Sequence, residues 1–220
     1  MMCGNDIREN LQISLRLYAV TDRSWLLGET LAQQVEKALQ GGVTFLQLRE
    51  KQLQEEKFLE EALTIRELCN RYHVPFVIND NVKVALRSRA DGVHLGQSDM
   101  KIQEARRLLG EDKIIGLSAQ TVDQAIQAEK DGANYLGVGA IFETSTKLNV
   151  ITLPKGTLKE ICQSVSIPVV AIGGINSSNL MKLKGTGISG VAMISAIFSE
   201  DEIAVAVRRL NVLIEKMTGL

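Results

Sequence analysis

The 220-residue sequence is poor in the features that mark secreted, zinc-binding or nucleic-acid-binding proteins. Its three cysteines, Cys3, Cys69 and Cys162, are far apart and include no Cys-x-x-Cys pair. This spacing argues against a disulfide framework or a zinc site and favours reduced thiols in the cytoplasm. The net charge is only −1, so no general basic field points to nucleic acid. Any binding of anions must therefore depend on a few placed groups.

Long apolar segments are also missing. No apolar run approaches the roughly 18 residues that a membrane-spanning helix needs. Residues 1–14 contain no apolar core behind a basic start, which argues against a signal peptide. We therefore expect a cytoplasmic protein without membrane or nucleic-acid partners, in which residues 1–14 form an N-terminal extension or helix.

The sequence does contain a regular alternation of two patterns. Short apolar, β-branched runs recur at residues 16–22, 45–50, 75–80, 92–96, 114–119, 135–142, 168–175 and 190–198. Segments with helical spacing of apolar residues follow them at residues 29–42, 54–74, 81–92, 102–110, 121–132, 156–165, 176–185 and 199–217. The runs are almost continuously apolar, which is typical of parallel strands covered by helices.

Eight strand–helix units in a chain of this length predict a (β/α)₈ TIM barrel, formed by residues 1–220 as a single domain. The alternative is a doubly wound open sheet. It is less favoured because such sheets usually have fewer strands, and the Gly-x-Gly-x-x-Gly turn expected after their first strand is absent.

Polar residues gather where the predicted strands end, which is the face on which barrels of this type carry active sites. His94, inside the fourth run, is more typical of a packed histidine than of a general base. Each polar group alone could belong to an ordinary loop, turn or helix cap, but their coincidence at one face predicts a site. The groups are Gln47, Arg49, Glu50 and Lys51; Asn79 and Asp80; Asp99; Ser118; Thr144, Ser145, Thr146 and Lys147; Gly173 and Gly174; and Ser195.

The chemistry of these residues favours anionic ligands. Arg49 offers a bidentate fork for phosphate, and Lys51 and Lys147 supply point charges. Asp80 and Asp99 follow neighbouring strands and can share a magnesium ion, which takes one or two carboxylates together with phosphate oxygens. The glycine pair after the seventh run lies where many barrels bind phosphate through backbone N–H groups. The sequence therefore predicts a site for two anionic groups, with Mg²⁺ on one of them.

Seven motifs occur in order, each at a strand end: QLREK (47–51), ND (79–80), HLGQSD (94–99), GLSA (116–119), TSTK (144–147), AIGGI (171–175) and ISAI (194–197). Through them, over nearly its whole length, the chain resembles the thiamine-phosphate synthase family. The resemblance implies a transferase that joins hydroxymethylpyrimidine diphosphate to thiazole phosphate and releases pyrophosphate.

The resemblance also implies roles for individual residues. It assigns the pyrimidine diphosphate to Gln47, Leu48, Arg49, Glu50, Lys51, Asn79, Ser118 and Lys147, of which Arg49, Lys51, Ser118 and Lys147 are catalytic. It assigns the thiazole phosphate to Thr144, Ser145, Thr146, Gly174, Ile194 and Ser195, and Mg²⁺ to Asp80 and Asp99. The expected partners are these small-molecule substrates, and the formation of a homo-oligomer stays open.

The chain departs from the family pattern before the eighth strand, where TGISG replaces the usual Gly-Ala-Asp-Gly, and at three positions nearer the predicted site. Ala140 and Glu143 replace two prolines common in the loop after the sixth strand, and Gln120 replaces a common histidine. A related thiazole tautomerase has a Phe-Glu-Thr stretch like this one but depends on a histidine after the fifth strand. That enzyme and a non-catalytic phosphate-binding barrel are the alternatives. The retained diphosphate and magnesium residues favour the synthase, with the side chain of Glu143 turned away from the barrel mouth.

Overall fold

Eight parallel strands close into a barrel in which every strand pairs with its neighbours in chain order and β1 pairs with β8. The structure is a computed structural model that describes residues 10–26, 28–143, 152–154 and 156–218. It confirms the predicted (β/α)₈ TIM barrel. Within these ranges, no helix is long and apolar enough to cross a membrane.

The strands are shorter than the apolar runs, because the polar residues at their ends belong to loops. They are β1 Leu17–Val20, β2 Phe45–Leu48, β3 Phe76–Asn79, β4 Gly92–Leu95, β5 Ile114–Ala119, β6 Tyr135–Val138, β7 Val169–Ile172 and β8 Gly190–Met193. The α-helices are α1 Leu31–Gly41, α2 Glu55–Arg71, α3 Val82–Ser88, α4 Ile102–Leu109, α5 Val122–Lys130, α6 Thr157–Ser164, α7 Ser195–Phe198 and α8 Ile203–Thr218. Two 3₁₀ helices span Arg23–Trp25 and Leu180–Leu183.

Successive residues of each strand point alternately into the barrel and outward towards the helices. The inward side chains form one apolar cluster, which includes Tyr18, Phe45 and Tyr135. The outward side chains, such as Leu46 and Leu48, belong to a second and larger cluster with the helices. Both faces of the sheet are thus buried, which explains why the strand sequences are almost continuously apolar.

Local sequence signals place the ends of helix α1. Thr30 and Gln33 form a reciprocal capping box at its start. At its end, Gly42 adopts a left-handed conformation (φ 99°), and its N–H donates to the carbonyls of Ala38 and Leu39. A glycine cap of this kind is a common way for an α-helix to end.

The prediction of an α-helix over residues 176–185 is wrong. The structure has only a short 3₁₀ helix there, Leu180–Leu183. Two asparagine side chains compete with helical hydrogen bonding: Asn176 Oδ1 accepts from the N–H of Ser178, and Asn179 Oδ1 accepts from the N–H of Asn176, each at 2.9 Å. Such local side-chain bonds offer the backbone an alternative to the α-helix.

The segment before β1 closes the N-terminal end of the barrel. Residues 10–14, the described part of the predicted N-terminal extension, are helical. Leu11 and Leu15 are buried in the inner cluster beneath Tyr18 and Phe45. Leu11 and Leu15 therefore form a plug that shields the N-terminal end of the barrel from water, while the opposite end stays open.

We expect Leu15→Ala to lower the free energy of unfolding by about 2–5 kcal/mol, because the change empties a fully buried position of the plug. Ile13→Ala is the matched control, since Ile13 lies in the same segment but is 58% exposed. Its effect should stay within about 0.5 kcal/mol. Urea unfolding followed by circular dichroism measures both, and equal effects of the two changes would contradict the plug.

Candidate active site

A cavity of about 450 Å³ lies at the C-terminal ends of the strands. Its volume falls in the range of small-molecule sites. It brings together most of the site residues predicted from the sequence, although they come from separate strands and loops. These are Gln47, Arg49, Lys51, Asn79, Asp80, Asp99, Ser118, Gly174, Ile194 and Ser195.

Two other predicted ligands are not among the lining residues. Leu48 follows the inward-facing Gln47 by one position, so it points outward and is fully buried against the helices. The side chain of Glu50 pairs with Arg23 instead. Thr144, Ser145, Thr146 and Lys147 lie outside the described residues, so their assignments stay predictions.

Arg49 is held by the loop that follows β1. Its guanidinium donates to Asp22 Oδ2 at 2.9 Å, and its backbone N–H donates to Thr21 Oγ1 at 2.9 Å. Asp22 also accepts from the N–H of Ser24 and so caps the following 3₁₀ helix. A bond to an ionised partner is stronger than a neutral one, so Asp22 fixes the position of the arginine before any ligand arrives.

Lys51, Asp80 and Asp99 form a charged group on one side of the cavity. Lys51 Nζ lies 2.5 Å from Asp80 Oδ2. The carboxyl of Asp99 is within hydrogen-bonding reach of Asp80, and burial together with this neighbour raises the pKa of Asp99. Asp99 Oδ2 also accepts from the N–H of Gly96 at 2.6 Å. The two carboxylates therefore repel each other and gain from a nearby cation.

This donor set fits a magnesium ion. Two adjacent carboxylates beside a cavity are the protein ligands that magnesium takes when phosphate oxygens and water complete its shell. Among the described residues, no group of three or more histidine, cysteine, aspartate or glutamate side chains is arranged to hold a metal. Two carboxylates supply only part of a magnesium coordination shell, so oxygen atoms of a ligand or of water would have to complete it.

Backbone forms the opposite side of the cavity. Gly173 and Gly174 have positive φ angles of 100° and 64°, and both line the cavity with Ile194 and Ser195. A Cβ atom on Gly174 would lie only 2.2 Å from the carbonyl oxygen of Glu143. Glycine is needed here because the loop after β6 lies directly against it.

Three of the positions that depart from the family pattern lie close to Gly173 and Gly174. Ala140 and Gln120 both line the cavity, and Gln120 Nε2 donates to the carbonyl of Gly139 at 3.2 Å. Glu143 is exposed and does not line the cavity. This placement agrees with the expectation that its side chain turns away from the mouth.

A chain of hydrogen bonds crosses the barrel interior between two predicted ligands. Gln47 Nε2 donates to Tyr18 Oη at 2.5 Å, and the hydroxyls of Tyr18 and Tyr135 are 2.8 Å apart. Tyr135 Oη then lies 2.9 Å from His94 Nδ1, and His94 Nε2 lies 3.0 Å from Ser118 Oγ. Burial lowers the pKa of His94 to about 4, so its imidazole is neutral near pH 7.

The two tyrosines of this chain were missed in the sequence. A signal was available, because strand alternation places Tyr18 two residues before the inward-facing Val20, and Tyr135 two before Gly137. Asp22 and Gln97 were also missed. Gln97 Nε2 donates to the carbonyl of Ser118 at 2.7 Å and joins the loop after β4 to β5.

Comparison with known proteins identifies the family. The family model described as thiamine monophosphate synthase matches residues 17–197. The chain belongs to the thiamine monophosphate synthase family. It is 48% identical to the thiamine-phosphate synthase of Clostridium novyi over 202 residues, which covers 91% of this chain and 98% of that protein. The synthase of Clostridium tetani is 45% identical over 202 residues, covering 92% of this chain and 97% of that protein.

Solved structures agree with this membership. The thiamine phosphate pyrophosphorylase of Pyrococcus furiosus superposes with a TM-score of 0.86 at 39% identity, over 95% of this chain and all of that one. KGPDC from Streptococcus mutans has a TM-score of 0.69 at 16% identity, over 92% of this chain and 99% of that one. At so low an identity, the second likeness shows the barrel fold alone.

Glu50, in the QLREK motif that this chain shares with the thiamine monophosphate synthase family, lies in a charged cluster beside the site. Arg23 Nε donates to Glu50 Oε1 at 2.7 Å, and the same guanidinium also contacts Glu61. The Glu50 side chain is only 3% exposed. Burial raises the pKa of Glu50 to about 7, against the opposing effect of Arg23. The cluster therefore carries a proton in the folded protein at mildly acidic pH.

We expect this proton to make stability depend on pH. The raised pKa favours folding at low pH, and the benefit is lost as pH rises from the unfolded pKa of about 4.5 to the folded value of about 7. Glu50→Gln removes this dependence. Relative to the variant, wild type should lose more than about 1 kcal/mol of unfolding free energy between pH 5 and 8, since one pKa unit corresponds to about 1.4 kcal/mol.

Urea unfolding at several pH values measures the difference. Glu67→Gln, on the exposed face of the same helix as Glu61, is the control and should keep the wild-type pH profile. If the profile of Glu50→Gln also parallels that of wild type, Glu50 does not hold the proton.

Proposed function

We propose that this chain is a thiamine-phosphate synthase, a transferase that joins hydroxymethylpyrimidine diphosphate to thiazole phosphate. The observation that carries the proposal is the gathering of cationic, carboxylate and backbone groups around one cavity of a chain from this family. The products are thiamine phosphate and pyrophosphate. The pathway served is thiamine biosynthesis.

The reaction breaks one bond and forms another. The bond between the exocyclic carbon of the pyrimidine and the diphosphate oxygen breaks, and its electron pair leaves with pyrophosphate. The lone pair of the thiazole ring nitrogen then forms the new bond to that carbon. The family is regarded as forming a pyrimidine-stabilised carbocation between these events, so no protein nucleophile is needed.

The charged side chains would stabilise the leaving pyrophosphate. Arg49 is preorganised by Asp22, and Lys51 stands beside the two carboxylates. Lys147 joins this group by its place in the TSTK motif. Groups that are already aimed at the developing charge lower the barrier without reorganising during the reaction.

Asp80 and Asp99 would hold Mg²⁺ together with the diphosphate. When bound, the metal supplies positive charge that offsets the charge of the diphosphate oxygens. Lys51 is paired with Asp80 and is more than half exposed, so its ammonium would also be able to reach a diphosphate bound in the cavity. Gln47, Asn79 and Ser118 complete the pyrimidine side of the cavity.

The thiazole phosphate is assigned to the opposite side. Gly174, Ile194 and Ser195 line the cavity there. Thr144, Ser145 and Thr146 are assigned to the same phosphate by their place in the TSTK motif, which follows β6 in the sequence. This arrangement would place the two substrates across one cavity, with the reacting atoms between them. Such positioning accounts for a large share of catalysis in two-substrate reactions.

The two alternative functions are less well supported. The thiazole tautomerase depends on a histidine after the fifth strand, where this chain has Gln120 at the cavity wall. A non-catalytic phosphate-binding barrel has no need of the adjacent carboxylates Asp80 and Asp99. The cytoplasmic location stays part of the proposal, with Cys69 and Cys162 as free thiols.

We expect thiamine phosphate and pyrophosphate when the purified protein is mixed with both substrates and Mg²⁺. Chelation should abolish turnover, and added Mg²⁺ should restore it, because the side-chain cations alone compensate only part of the diphosphate charge. Chromatography of the products with a pyrophosphate assay measures the outcome. Interconversion of thiazole isomers without pyrophosphate would favour the tautomerase, and phosphate binding with neither activity would favour a binding protein.

Site variants sharpen this test. Asp80→Ala and Lys147→Ala should each lower turnover by at least ~100-fold without unfolding the protein, the scale expected for losing an electrostatic group at a developing charge. Asp112→Ala and Lys159→Ala, which change exposed residues that do not line the cavity, are the matched controls and should keep wild-type turnover. Wild-type rates in the first pair would contradict the site assignment.

A further inference from the structure

The hydrogen-bond chain between Gln47 and Ser118 has a direction. The Gln47 amide N–H donates to Tyr18 Oη, so the single proton of the Tyr18 hydroxyl is free to donate to Tyr135. The Tyr135 proton then goes to His94 Nδ1, which must be unprotonated to accept it. His94 therefore carries its proton on Nε2 and donates to Ser118 Oγ.

We propose that Tyr18, Tyr135 and His94 are positioning residues. The two tyrosines hold His94 in the Nε2–H tautomer, and the chain thereby fixes which atoms of Gln47 and Ser118 donate or accept hydrogen bonds. At one end, the amide nitrogen of Gln47 is engaged, which leaves its carbonyl oxygen as the acceptor for a ligand. At the other end, Ser118 accepts from His94, which leaves its hydroxyl proton for a ligand. The two ends are coupled through the three residues between them.

The donor at Gln47 sets the direction of the whole chain. Because each hydroxyl passes its proton to the next oxygen or nitrogen, Tyr135 donates to Nδ1 and the imidazole has only its Nε2 proton to share. With one proton each, reversing one bond requires reversing all the bonds of the chain. The reverse order would also need the Gln47 amide to rotate until its oxygen faces Tyr18.

Packing restricts the imidazole as well. His94 lies against the ring of Tyr135, with centroids 5.4 Å apart. A Cβ atom at position 137 would come within 3.0 Å of His94 Cε1, so Gly137 leaves room for the imidazole and for little else. Both ring nitrogens keep fixed partners in this setting, and the tautomer is set by which of the two partners donates.

The coupling specifies the kind of ligand that the cavity accepts. A ring that offers a donor to Gln47 and an acceptor to Ser118 matches it, and an aminopyrimidine carries both kinds of group. A ring with the opposite arrangement would leave buried polar groups unpaired, which costs affinity. This inference rests on the proposed function, which makes Gln47 and Ser118 ligands of the pyrimidine.

The tautomer can be measured directly by long-range ¹H–¹⁵N NMR correlation on the full chain labelled with ¹⁵N-histidine. The sequence has only two histidines, and exposed His73 accounts for the second set of signals. We expect the proton of His94 on Nε2 and a bare Nδ1 at neutral pH. A proton on Nδ1, or on both ring nitrogens, would overturn the proposal, and this wild-type result does not depend on any variant folding.

Two chain variants and a control separate the hydrogen bonds from general packing. Tyr135→Phe removes the donor to Nδ1, so His94 should lose its exclusive Nε2–H state. Tyr18→Phe interrupts the chain between Gln47 and Tyr135, so Tyr135 is no longer required to donate to His94 and the exclusive Nε2–H state should be lost here too. Tyr72→Phe changes a tyrosine outside the chain and should keep that state. Persistence of the exclusive Nε2–H state in either chain variant would contradict a directional chain.

Kinetics supply a second readout. For Tyr135→Phe we expect KM for the pyrimidine substrate to rise about fivefold or more, with a smaller change in KM for the thiazole phosphate. Equal changes in both would contradict a positioning role. An inactive wild-type protein with His94 in the Nε2–H state would refute the proposed function but leave the chain intact. An active wild-type protein with the His94 proton on Nδ1 would refute the hydrogen-bond chain but leave the proposed function intact.

Discussion

A closed barrel of parallel strands forces alternate residues to point into one shared interior, and the rest of this structure depends on that constraint. Near the bottom, the interior is filled by Phe45 and the N-terminal plug. Near the mouth, the same inward positions carry Gln47, Asn79, His94 and Ser118. One geometric rule thus builds an apolar floor that holds the barrel together and a polar cavity above it.

The charged groups at the mouth are arranged before any ligand is present. Arg49 is paired with Asp22, while Lys51 is paired with Asp80 beside Asp99. The first pair is mostly buried and stays in place, whereas the second is exposed enough to exchange partners. Binding of a diphosphate with its metal would therefore reorganise one side of the site and leave the other side fixed.

The sequence was sufficient for the barrel and for most of the cavity wall, because period-two and helical patterns and strand-end motifs are local signals. It was less informative where contacts between distant residues decide. Glu50 belongs to the QLREK motif, yet its carboxylate pairs with Arg23 from another loop. Tyr18 and Tyr135 are 117 positions apart in the chain and meet only inside the closed barrel. The asparagine turns after β7 likewise replaced an expected helix by a short 3₁₀ turn.

We propose that a pyrimidine diphosphate and its metal occupy this cavity between the strand ends. A crystal structure of the protein with that substrate and Mg²⁺ would show the bound arrangement. We expect the metal on Asp80 and Asp99, the diphosphate near Arg49 and Lys51, and the pyrimidine between Gln47 and Ser118. A diphosphate bound elsewhere, or a metal without either carboxylate, would contradict the proposal.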